Sequence, residues 1–452
     1  MGAGKFVSLE ETRAAVDPEA PARKRLAALF DEGKYSEIGG AGENGTAKSV
    51  IAAYGTVGGA PAYAFSQDAA QCGGAMGRLQ AQKICRVLEL AAKTGVPVVG
   101  IYDSNGAKAD EGADVLAAYS AIIRGAAAVS GVSPQIAVVA GVCAGGMALV
   151  AAGADVVVMS EDAQLFMTAP FVAGEPKAAE AESAAANGIA HIVAPEDELM
   201  EKAREILSVL PSNNIAGLPA FEFEAPAQLV AENAWEAAKA VVDADSVIEL
   251  FGHFGGCAHC GFATIGGSPV GFASVDGALT ADGCDKLTRQ LGLCDSYSIP
   301  FITFIDSEGF DESVSGLVRE GARLAYTYAC ATTVKLAVVT GRAYGAAYSV
   351  LAGRDASADM TFVWDKASVG ALAPATAVEL MYSDRIDAEY SRADAERDYA
   401  ANEAGALAAV ANGIADRVVL PEETRAALIE ALDALEGKRV ASLPRKHANR
   451  PL

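Results

Sequence analysis

The amino-acid sequence predicts an α/β protein made of two tandem domains that are related by internal duplication. The chain has 452 residues, which is more than one ordinary hydrophobic core accommodates. Five motifs of the first half recur, in the same order, in the second half. Within each half, runs of β-branched residues alternate with segments of helical periodicity, as in layered α/β domains.

The internal repeat is the strongest of these observations. "YGTVGGAPAYAFSQD" in the first half matches "FATIGGSPVGFASVD" in the second in its apolar pattern and its Gly-Gly turn. The separation between partners changes along the chain, as small insertions and deletions would cause. One short match arises easily by chance, whereas five in order do not. The paired segments are 35–39 with 247–251, 54–68 with 262–276, 97–106 with 300–309, 141–148 with 341–348, and 186–197 with 411–423.

Each half contains recognisable strands and helices. "YAFSQD" and "PVVGIYD" predict strands in the first half, and a helical segment lies between them. Its apolar residues fall at i, i+3, i+4 and i+7, which is one face of a helix, and the second half repeats the pattern. The positions are Ile84, Val87, Leu88 and Ala91 in the first half and Leu287, Leu291 and Cys294 in the second.

The segment 209–229 predicts the boundary between the two halves. It carries three prolines, which interrupt regular structure and are typical of linkers. We therefore expect an N-terminal domain over residues 1–228 and a C-terminal domain over residues 229–452.

The charge of the chain excludes one class of partner. With 35 Lys and Arg against 58 Asp and Glu, the net charge is −23, so we expect no nucleic-acid partner, because phosphate backbones need a basic surface. The eight cysteines and the absence of an apolar leader predict reduced thiols in the cytoplasm. The nearly uncharged segment 134–159 contains a Gly-Gly pair, so it predicts strand, turn, short helix and strand rather than a membrane span.

Two turns without acidic side chains are the candidate site, and Arg342 is the one basic residue in them. "GVCAGGMALV" at 141–150 and "GRAYGAAYSV" at 341–350 each follow an apolar run. A strand that enters a helix through small residues exposes backbone N–H groups that the helix cannot satisfy. Such donors stabilise a developing oxyanion without any side chain. The alternative is a helix start that packs closely on a sheet and needs glycine only for space.

Several motifs together resemble the biotin-dependent acyl-CoA carboxyltransferases, the family of the propionyl-CoA carboxylase β-subunits and the methylmalonyl-CoA decarboxylase α-subunits. The resemblance covers nearly the whole chain and implies two crotonase-like halves. Besides the two turns, the motifs are "DSNGAKADEG" at 103–112, "FSQDAAQCGGAMGRLQAQKI" at 65–84, "ITFIDSEGF" at 302–310 and "RKHANRPL" at 445–452.

The resemblance implies an activity and a role for each turn. A carboxyl group passes between carboxybiotin and the α-carbon of a short-chain acyl-CoA thioester. The amides of Gly145 and Gly146 would hold the enolate oxygen of the thioester, and those of Ala346 and Ala347 the ureido oxygen of biotin. The residues implied to line the substrate sites are Gly106, Ala107, Lys108, Ala144, Tyr344 and Gly345.

The resemblance also implies partners. The sequence has no Ala-Met-Lys-Met attachment site for biotin and no Walker-type ATP loop. Biotin is therefore expected on a separate carboxyl carrier protein, with a biotin carboxylase or a membrane decarboxylase subunit on another chain. A homo-oligomer, at least a dimer with a hexamer as the alternative, is implied as well.

The chain departs from the usual motifs of the family at a few positions. Asn105 and Lys108 stand where Gly and Arg are usual, and Lys108 would meet a CoA phosphate as a point charge or remain a solvated surface lysine. Glu308 replaces a proline, Ala346 adds a Cβ, and Ser349 replaces a carboxylate. These changes leave open which acyl-CoA is used. The direction of the reaction, carboxylation or decarboxylation, is left open by the sequence as a whole.

Three other functions stay open at this point. An enoyl-CoA hydratase or isomerase uses similar turns with positioned carboxylates, for which Glu111 is one candidate. A non-catalytic copy that binds CoA or a partner would explain the altered second turn. "HFGGCAHC" at 253–260 offers two His and two Cys, but no second Cys pair follows, so we expect no metal site. His191 lies in a repeated segment, which indicates a structural role rather than a place in a hydrolase triad.

Overall fold

The computed structural model describes residues 16–39, 49–227, 233–311, 316–354, 356–387 and 389–441, together with Glu10, Ala231 and Pro444. The motif at 445–452 lies outside the described residues. The chain divides into two compact units, Met1–Gly217 and Leu218–Leu452. The division falls inside the proline-containing segment 209–229.

The first unit is built on one sheet. The sheet has the order β1-β2-β3-β4-β5-β6-β8, and β7 pairs with β5. The pairs β1–β2 and β2–β3 are antiparallel, whereas the other pairs are parallel. The strands are β1 Tyr35–Ile38, β2 Val50–Val57, β3 Ala60–Gln67, β4 Val98–Ser104, β5 Gln135–Ala144, β6 Val156–Ser160, β7 Gln164–Phe166 and β8 Ile192–Ala194.

Helices cover this sheet and bury the predicted apolar face. Ile84, Val87, Leu88 and Ala91 are all buried on the helix Arg78–Thr94, as their spacing predicted. The uncharged segment 134–159 forms β5, α4 and the start of β6, as predicted, and no helix among the described residues is long and apolar enough to cross a membrane. The helices are α1 Pro21–Leu29, α2 Arg78–Thr94, α3 Asp114–Val129, α4 Gly146–Ala152, α5 Pro170–Ala173, α6 Ala181–Ala186 and α7 Leu199–Val209.

The second unit repeats the sheet of the first. Its order is β9-β10-β11-β12-β13-β14-β16, and β15 pairs with β13 as β7 pairs with β5. The first two pairs are again antiparallel and the others parallel. The strands are β9 Ile248–Leu250, β10 Ala258–Ile265, β11 Ser268–Leu279, β12 Phe301–Phe310, β13 Lys335–Tyr344, β14 Met360–Trp364, β15 Ser368–Gly370 and β16 Arg417–Val419.

The helices of the second unit follow the same scheme. A long helix precedes β12 and another precedes β13, and a short helix follows β13 directly. The helices are α8 Ala234–Val241, α9 Ala281–Ser296, α10 Leu317–Cys330, α11 Gly345–Leu351, α12 Pro374–Ala377, α13 Arg392–Asn402, α14 Ala406–Ala411 and α15 Thr424–Leu435. Equivalent strands in equivalent order confirm the predicted duplication.

Side chains repeat as well as strands. In the first unit the carboxylate of Asp31 accepts hydrogen bonds from the amides of Gly58 and Gly59 at the β2–β3 turn, at 2.9 and 2.8 Å. Arg204 of α7 donates to the same carboxylate at 2.8 Å. One carboxylate thus ties a hairpin turn to a helix that lies far away in the sequence.

The second unit contains the same arrangement of a carboxylate, two glycine amides and an arginine, which we call a clamp. Asp243 accepts from the amides of Gly266 and Gly267 at the β10–β11 turn, at 3.0 and 2.8 Å, and Arg425 of α15 donates to it. The duplication therefore preserved a long-range tertiary contact together with the strand pattern.

His191 has the structural role that its repeat indicated. Its Nδ1 accepts from the amide of Val157 at 3.1 Å, and its own amide donates to the Val157 carbonyl at 2.9 Å. Asp416 makes the same two contacts with Thr361, at 2.8 and 2.9 Å. In each unit the side chain and the backbone amide of this residue together form one hydrogen-bonded pair with a strand of the sheet, β6 in the first unit and β14 in the second.

Candidate active site

The first turn joins β5 to α4. β5 ends at Ala144, and α4 begins at Gly146. Gly145 lies between them with φ 66° and ψ −133°, a conformation that side-chain-bearing residues avoid. The chain reverses direction here without any polar side chain. The turn is thus built from backbone, as the sequence predicted.

The two amides of this turn are not equivalent. The N–H of Gly145 donates to the carbonyl of Phe166 at 2.8 Å and so continues the pairing of β5 with β7. Gly146 is the first residue of α4, so its N–H has no acceptor within the helix. Of the two donors expected for an oxyanion, Gly145 is therefore already engaged in the sheet.

The second turn joins β13 to α11 in the same way. β13 ends at Tyr344, and Gly345, with φ 55°, begins the helix. Ala346 and Ala347 follow in the first helical turn, so their amides also lack acceptors within the helix. Ala346 is exposed and Ala347 is buried. The exposed position of Ala346 leaves this turn accessible from outside the unit.

The loop after β4 lies against the first turn. Gly106 has φ 107°, and a Cβ on it would lie 3.6 Å from the Cβ of Ala144. The amide of Gly106 donates to the hydroxyl of Ser104 at 3.2 Å, which fixes the loop. Gly309 of the second unit, with φ 135°, donates to Ser307 at 3.4 Å in the same way. The predicted substrate-lining residues Gly106 and Ala144 are thus neighbours.

A second glycine-containing loop, around Met76, is hydrogen-bonded to the loop that follows β4. The amide of Met76 donates to the carbonyl of Gly106 at 2.9 Å, and the amide of Lys108 donates to the carbonyl of Met76 at 2.8 Å. These bonds place Ala107 opposite Met76 in a short parallel bridge. Sequence reasoning did not assign Met76 to the site, although the glycine-rich run "QCGGAMG" around it was a visible signal.

Lys108 is held by carboxylates of its own loop. Its ammonium lies 3.5 Å from Asp110 and 3.3 Å from Glu111. Burial works against the charge, but the hydrogen bond to Glu111 and the charge of Asp110 raise the pKa of Lys108 above its ordinary value. Glu111 also accepts from the amide of Arg78 at 2.6 Å and so caps α2. The carboxylate of Glu111 therefore contacts its own loop and the start of α2. These contacts disfavour the hypothesis that Glu111 is a catalytic carboxylate of a hydratase or isomerase.

An aspartate at the end of β4 shapes the path of β5. Register between the two strands shifts after Tyr102, and a Cβ on Gly141 would lie 2.2 Å from Oδ1 of Asp103. Arg25 of α1 pairs with the same carboxylate at 2.8 Å. Gly141 is thus required because the carboxylate occupies the place of a side chain.

The second unit repeats this arrangement with a different arginine. A Cβ on Gly341 would lie 2.6 Å from Oδ1 of Asp306, at the matching shift of register between β12 and β13. Arg342, the next residue of β13, donates to that carboxylate from its amide at 2.9 Å and from its Nε at 2.7 Å. Each turn is therefore preceded by a bulge that encloses a paired aspartate.

Cys143 is the thiol nearest to the first turn, and it is fully buried. Burial raises its pKa far above the ordinary value, so the thiol stays protonated. A protonated and inaccessible sulfur is a poor nucleophile.

A lysine organises the loop 253–260. The buried ammonium of Lys286 donates to the carbonyls of Phe251, Phe254 and Ala258 at 2.9, 2.9 and 2.6 Å. Burial lowers the pKa of Lys286 from its ordinary value. Among the described residues, no group of three or more His, Cys, Asp or Glu could hold a metal ion.

His259 and Cys257 of this loop have other partners. His259 stacks on Trp235, with ring centroids 4.7 Å apart, and its Nδ1 lies 2.9 Å from a carboxylate oxygen of Glu249. The sulfur of Cys257 lies 3.3 Å from the hydroxyl of Thr280, the N-cap of α9. His259 and Cys257 are thus engaged by an aromatic ring, a carboxylate and a hydroxyl.

A cavity of about 460 Å³ lies beside α4 in the first unit. Its lining is apolar except for Thr168 and Glu175, and it includes Phe166, whose carbonyl accepts from Gly145. The lining residues are Ala148, Leu149, Ala152, Leu165, Phe166, Met167, Thr168, Pro170, Ala173, Glu175, Ala178, Ala179 and Ile189.

Comparison with known proteins agrees with this geometry. Residues 3–450 match the family described as the carboxyl transferase domain. The chain belongs to the carboxyl transferase family. The family predicted from the motifs is thereby confirmed, and the protein is an enzyme of the carboxyltransferase type.

Relatives of two kinds are similar to the chain. The methylmalonyl-CoA decarboxylase subunit alpha of Propionigenium modestum is 32% identical, over 95% of this chain and 93% of that protein. A putative propionyl-CoA carboxylase beta chain of Bacillus subtilis is also 32% identical, with the same coverage. Similarity to a decarboxylase and to a carboxylase is thus equally high.

A solved structure shows the same fold. Transcarboxylase 12S, solved with methylmalonyl-CoA and methylmalonic acid bound and described as a hexamer, superposes with a TM-score of 0.89. It is 30% identical and covers 95% of this chain and 92% of its own. The predicted pair of tandem crotonase-like domains is confirmed by this likeness.

Proposed function

We propose that this chain is the carboxyltransferase subunit that moves a carboxyl group between carboxybiotin and the α-carbon of a short-chain acyl-CoA. The observation that supports it most is the pair of equivalent strand–turn–helix sites, one in each unit, within a chain that matches the carboxyl transferase family from end to end. Two carbonyl-type oxygens become negative in such a transfer, and each turn offers backbone donors to one of them.

The first turn would stabilise the thioester enolate. The amide of Gly146 is the donor that we assign to the enolate oxygen, since Gly145 already donates to Phe166. Gly145 contributes its left-handed conformation, which sets the direction of the following peptide. Gly106, Ala107, Lys108 and Ala144 would surround the thioester, with the ammonium of Lys108 oriented by Asp110 and Glu111 toward a CoA phosphate.

The second turn would receive biotin. Carboxybiotin supplies the carboxyl group and, once it has lost that group, a base for the α-proton. The amides of Ala346 and Ala347 would hold its ureido oxygen, and Tyr344 and Gly345 would shape the entrance. The exposed Ala346 and the absence of acidic side chains from residues 344–347 fit a neutral ring that arrives on another protein.

We further propose the partners that this chemistry requires. Biotin would be attached to a separate carboxyl carrier protein, and a biotin carboxylase or a membrane decarboxylase subunit would work with it in the cytoplasm. A homo-oligomer, a dimer or a hexamer, is supported by the likeness to transcarboxylase 12S, which is described as a hexamer.

The alternative is a copy that binds acyl-CoA and no longer transfers the carboxyl group. It is motivated by Ala346 and Ser349, where the second turn departs from the family motif. Incubation of the purified chain with methylmalonyl-CoA and free biotin separates the two. A carboxyltransferase releases propionyl-CoA in a biotin-dependent reaction. Tight binding of CoA thioesters with no biotin-dependent product would contradict the proposed function.

A further inference from the structure

Gly146 is a glycine because of a neighbouring ring. Its φ is not in the left-handed region, so its conformation alone does not require glycine. A Cβ on Gly146 would lie 2.8, 2.9 and 3.2 Å from Cδ1, Cγ and Cε1 of Tyr119. Contacts this short involve the body of the ring, which cannot swing aside as a flexible chain end does. The ring therefore fills the space beside the first residue of α4.

The ring is fixed by the helix that carries it. Tyr119 lies on α3, whose residues Val115, Ala118 and Ile122 are buried in the first unit. The aromatic ring packs against the core cluster of that unit. A rigid ring that contacts Gly146 restricts where the Gly145–Gly146 peptide can lie.

The hydroxyl of Tyr119 does not explain why a tyrosine lies beside Gly146. It is buried, and among the described residues it has no hydrogen-bond partner. Burial, with a smaller effect of Cys143, raises the pKa of Tyr119 to about 12, so the group is neutral. A buried hydroxyl without a partner disfavours folding. The contribution of Tyr119 to the turn is thus expected from its ring.

We propose that Tyr119 is a positioning residue for the reaction: its ring holds the Gly145–Gly146 peptide so that the N–H of Gly146 points at the oxyanion. This inference rests on the proposed function, because it takes that N–H to be the donor. The second turn shows the contrast, since its equivalent residue, Ala346, carries a Cβ. The second turn therefore has a side chain at the position where the first turn has none.

A size-exchange experiment tests the proposal. Gly146→Ala should lower kcat on the order of 10²-fold with little change in KM for the acyl-CoA, since the displaced donor acts on charge that develops in the transition state. Tyr119→Ala in the same chain makes room for the new methyl group. The double variant should regain at least about tenfold of the lost kcat. Tyr119→Phe should keep the wild-type rate.

The matched control is Ile122→Ala. It removes a buried side chain from the same face of α3, and combined with Gly146→Ala it should give no recovery. Additive effects of Tyr119→Ala and Gly146→Ala on kcat, or a folded Tyr119→Phe enzyme with a large loss of kcat, would overturn the proposal.

Thermal unfolding of the same variants keeps the inference separate from the function. Gly146→Ala should lower the Tm, and Tyr119→Ala should restore part of that loss because the clash is removed. If the wild-type chain shows no transfer, the proposed function fails. Additive changes in Tm would then still overturn the coupling between the ring and residue 146.

Discussion

The two glycines of the first turn are glycine for different reasons. Gly145 needs a left-handed conformation, whereas Gly146 needs space beside Tyr119. The sequence predicts both amides as oxyanion donors, and the structure distinguishes them, because the amide of Gly145 also donates to Phe166 in the β5–β7 pairing. The difference matters for mutagenesis. Gly146→Pro removes a donor but also adds a Cβ that meets the ring.

Cys143→Ala should leave carboxyl transfer within about threefold of the wild type. The thiol is fully buried and its pKa is raised by burial, so it cannot supply a thiolate. The assay is transfer at saturating carrier, with circular dichroism to establish folding. A folded but inactive Cys143→Ala enzyme would show that the thiol takes part in the chemistry.

At the scale of the structural elements, the two clamps form a matched pair whose carboxylates differ in burial. The side chain of Asp243 is 2% exposed and that of Asp31 is 25% exposed. Arg425→Ala leaves a buried carboxylate without its cation, at a cost of about 3–5 kcal/mol in the free energy of unfolding. Arg204→Ala should cost about 1 kcal/mol, because water screens the more exposed pair. Urea unfolding of both variants measures the difference. Equal losses would contradict the burial argument.

The clamps also predict a loss of stability in acid. Hydrogen bonds, that of Gly59 foremost, hold the pKa of Asp31 well below its usual value. Burial opposes the charge of Asp243, but hydrogen bonds from Thr264 and Arg425 lower its pKa as well. Both carboxylates thus stabilise the fold above the unfolded pKa of about 3.9, and this contribution is lost as the pH falls below it.

Asp243→Asn tests this dependence on pH. The variant lacks the titrating group, so its deficit in stability relative to the wild type should shrink as the pH falls from about 5 to 3. Urea unfolding at a series of pH values gives the two curves. A deficit that stays constant over this range would show that the carboxylate does not contribute through its charge.

Local sequence patterns predicted the helices and strands, but they could not predict contacts between residues that lie far apart in the chain. The face of α2 and the strand–turn–helix segments follow from periodicity within about 20 residues. The contact of Tyr119 with Gly146 and the carbonyl cage around Lys286 join residues that only the folded chain brings together. The sequence carried one signal for this cage, which is the pair of lysines Lys83 and Lys286. In the first unit Lys83 donates to the first carbonyl of β2, and in the second unit Lys286 donates to the first carbonyl of β10.

At the scale of the whole molecule, we expect that biotin is not attached to this chain. No lysine lies in the Ala-Met-Lys-Met context that biotin attachment requires. Mass spectrometry of the chain purified from its native source should find the unmodified mass of each lysine-containing peptide. Covalent biotin on any of its lysines would contradict the assignment of the carrier to another protein.

The proposed mechanism depends on the amide hydrogen of Gly146, and one comparison of variants isolates its contribution. In the Tyr119→Ala background, Gly146→Ala and Gly146→Pro both have a Cβ and differ in the N–H, and proline is tolerated in a first helical turn. Carboxyl transfer at saturating carrier should be about 10²–10³-fold slower for the proline variant, the effect of losing one oxyanion donor. Equal kcat values for two folded variants would show that this amide does not stabilise the transition state.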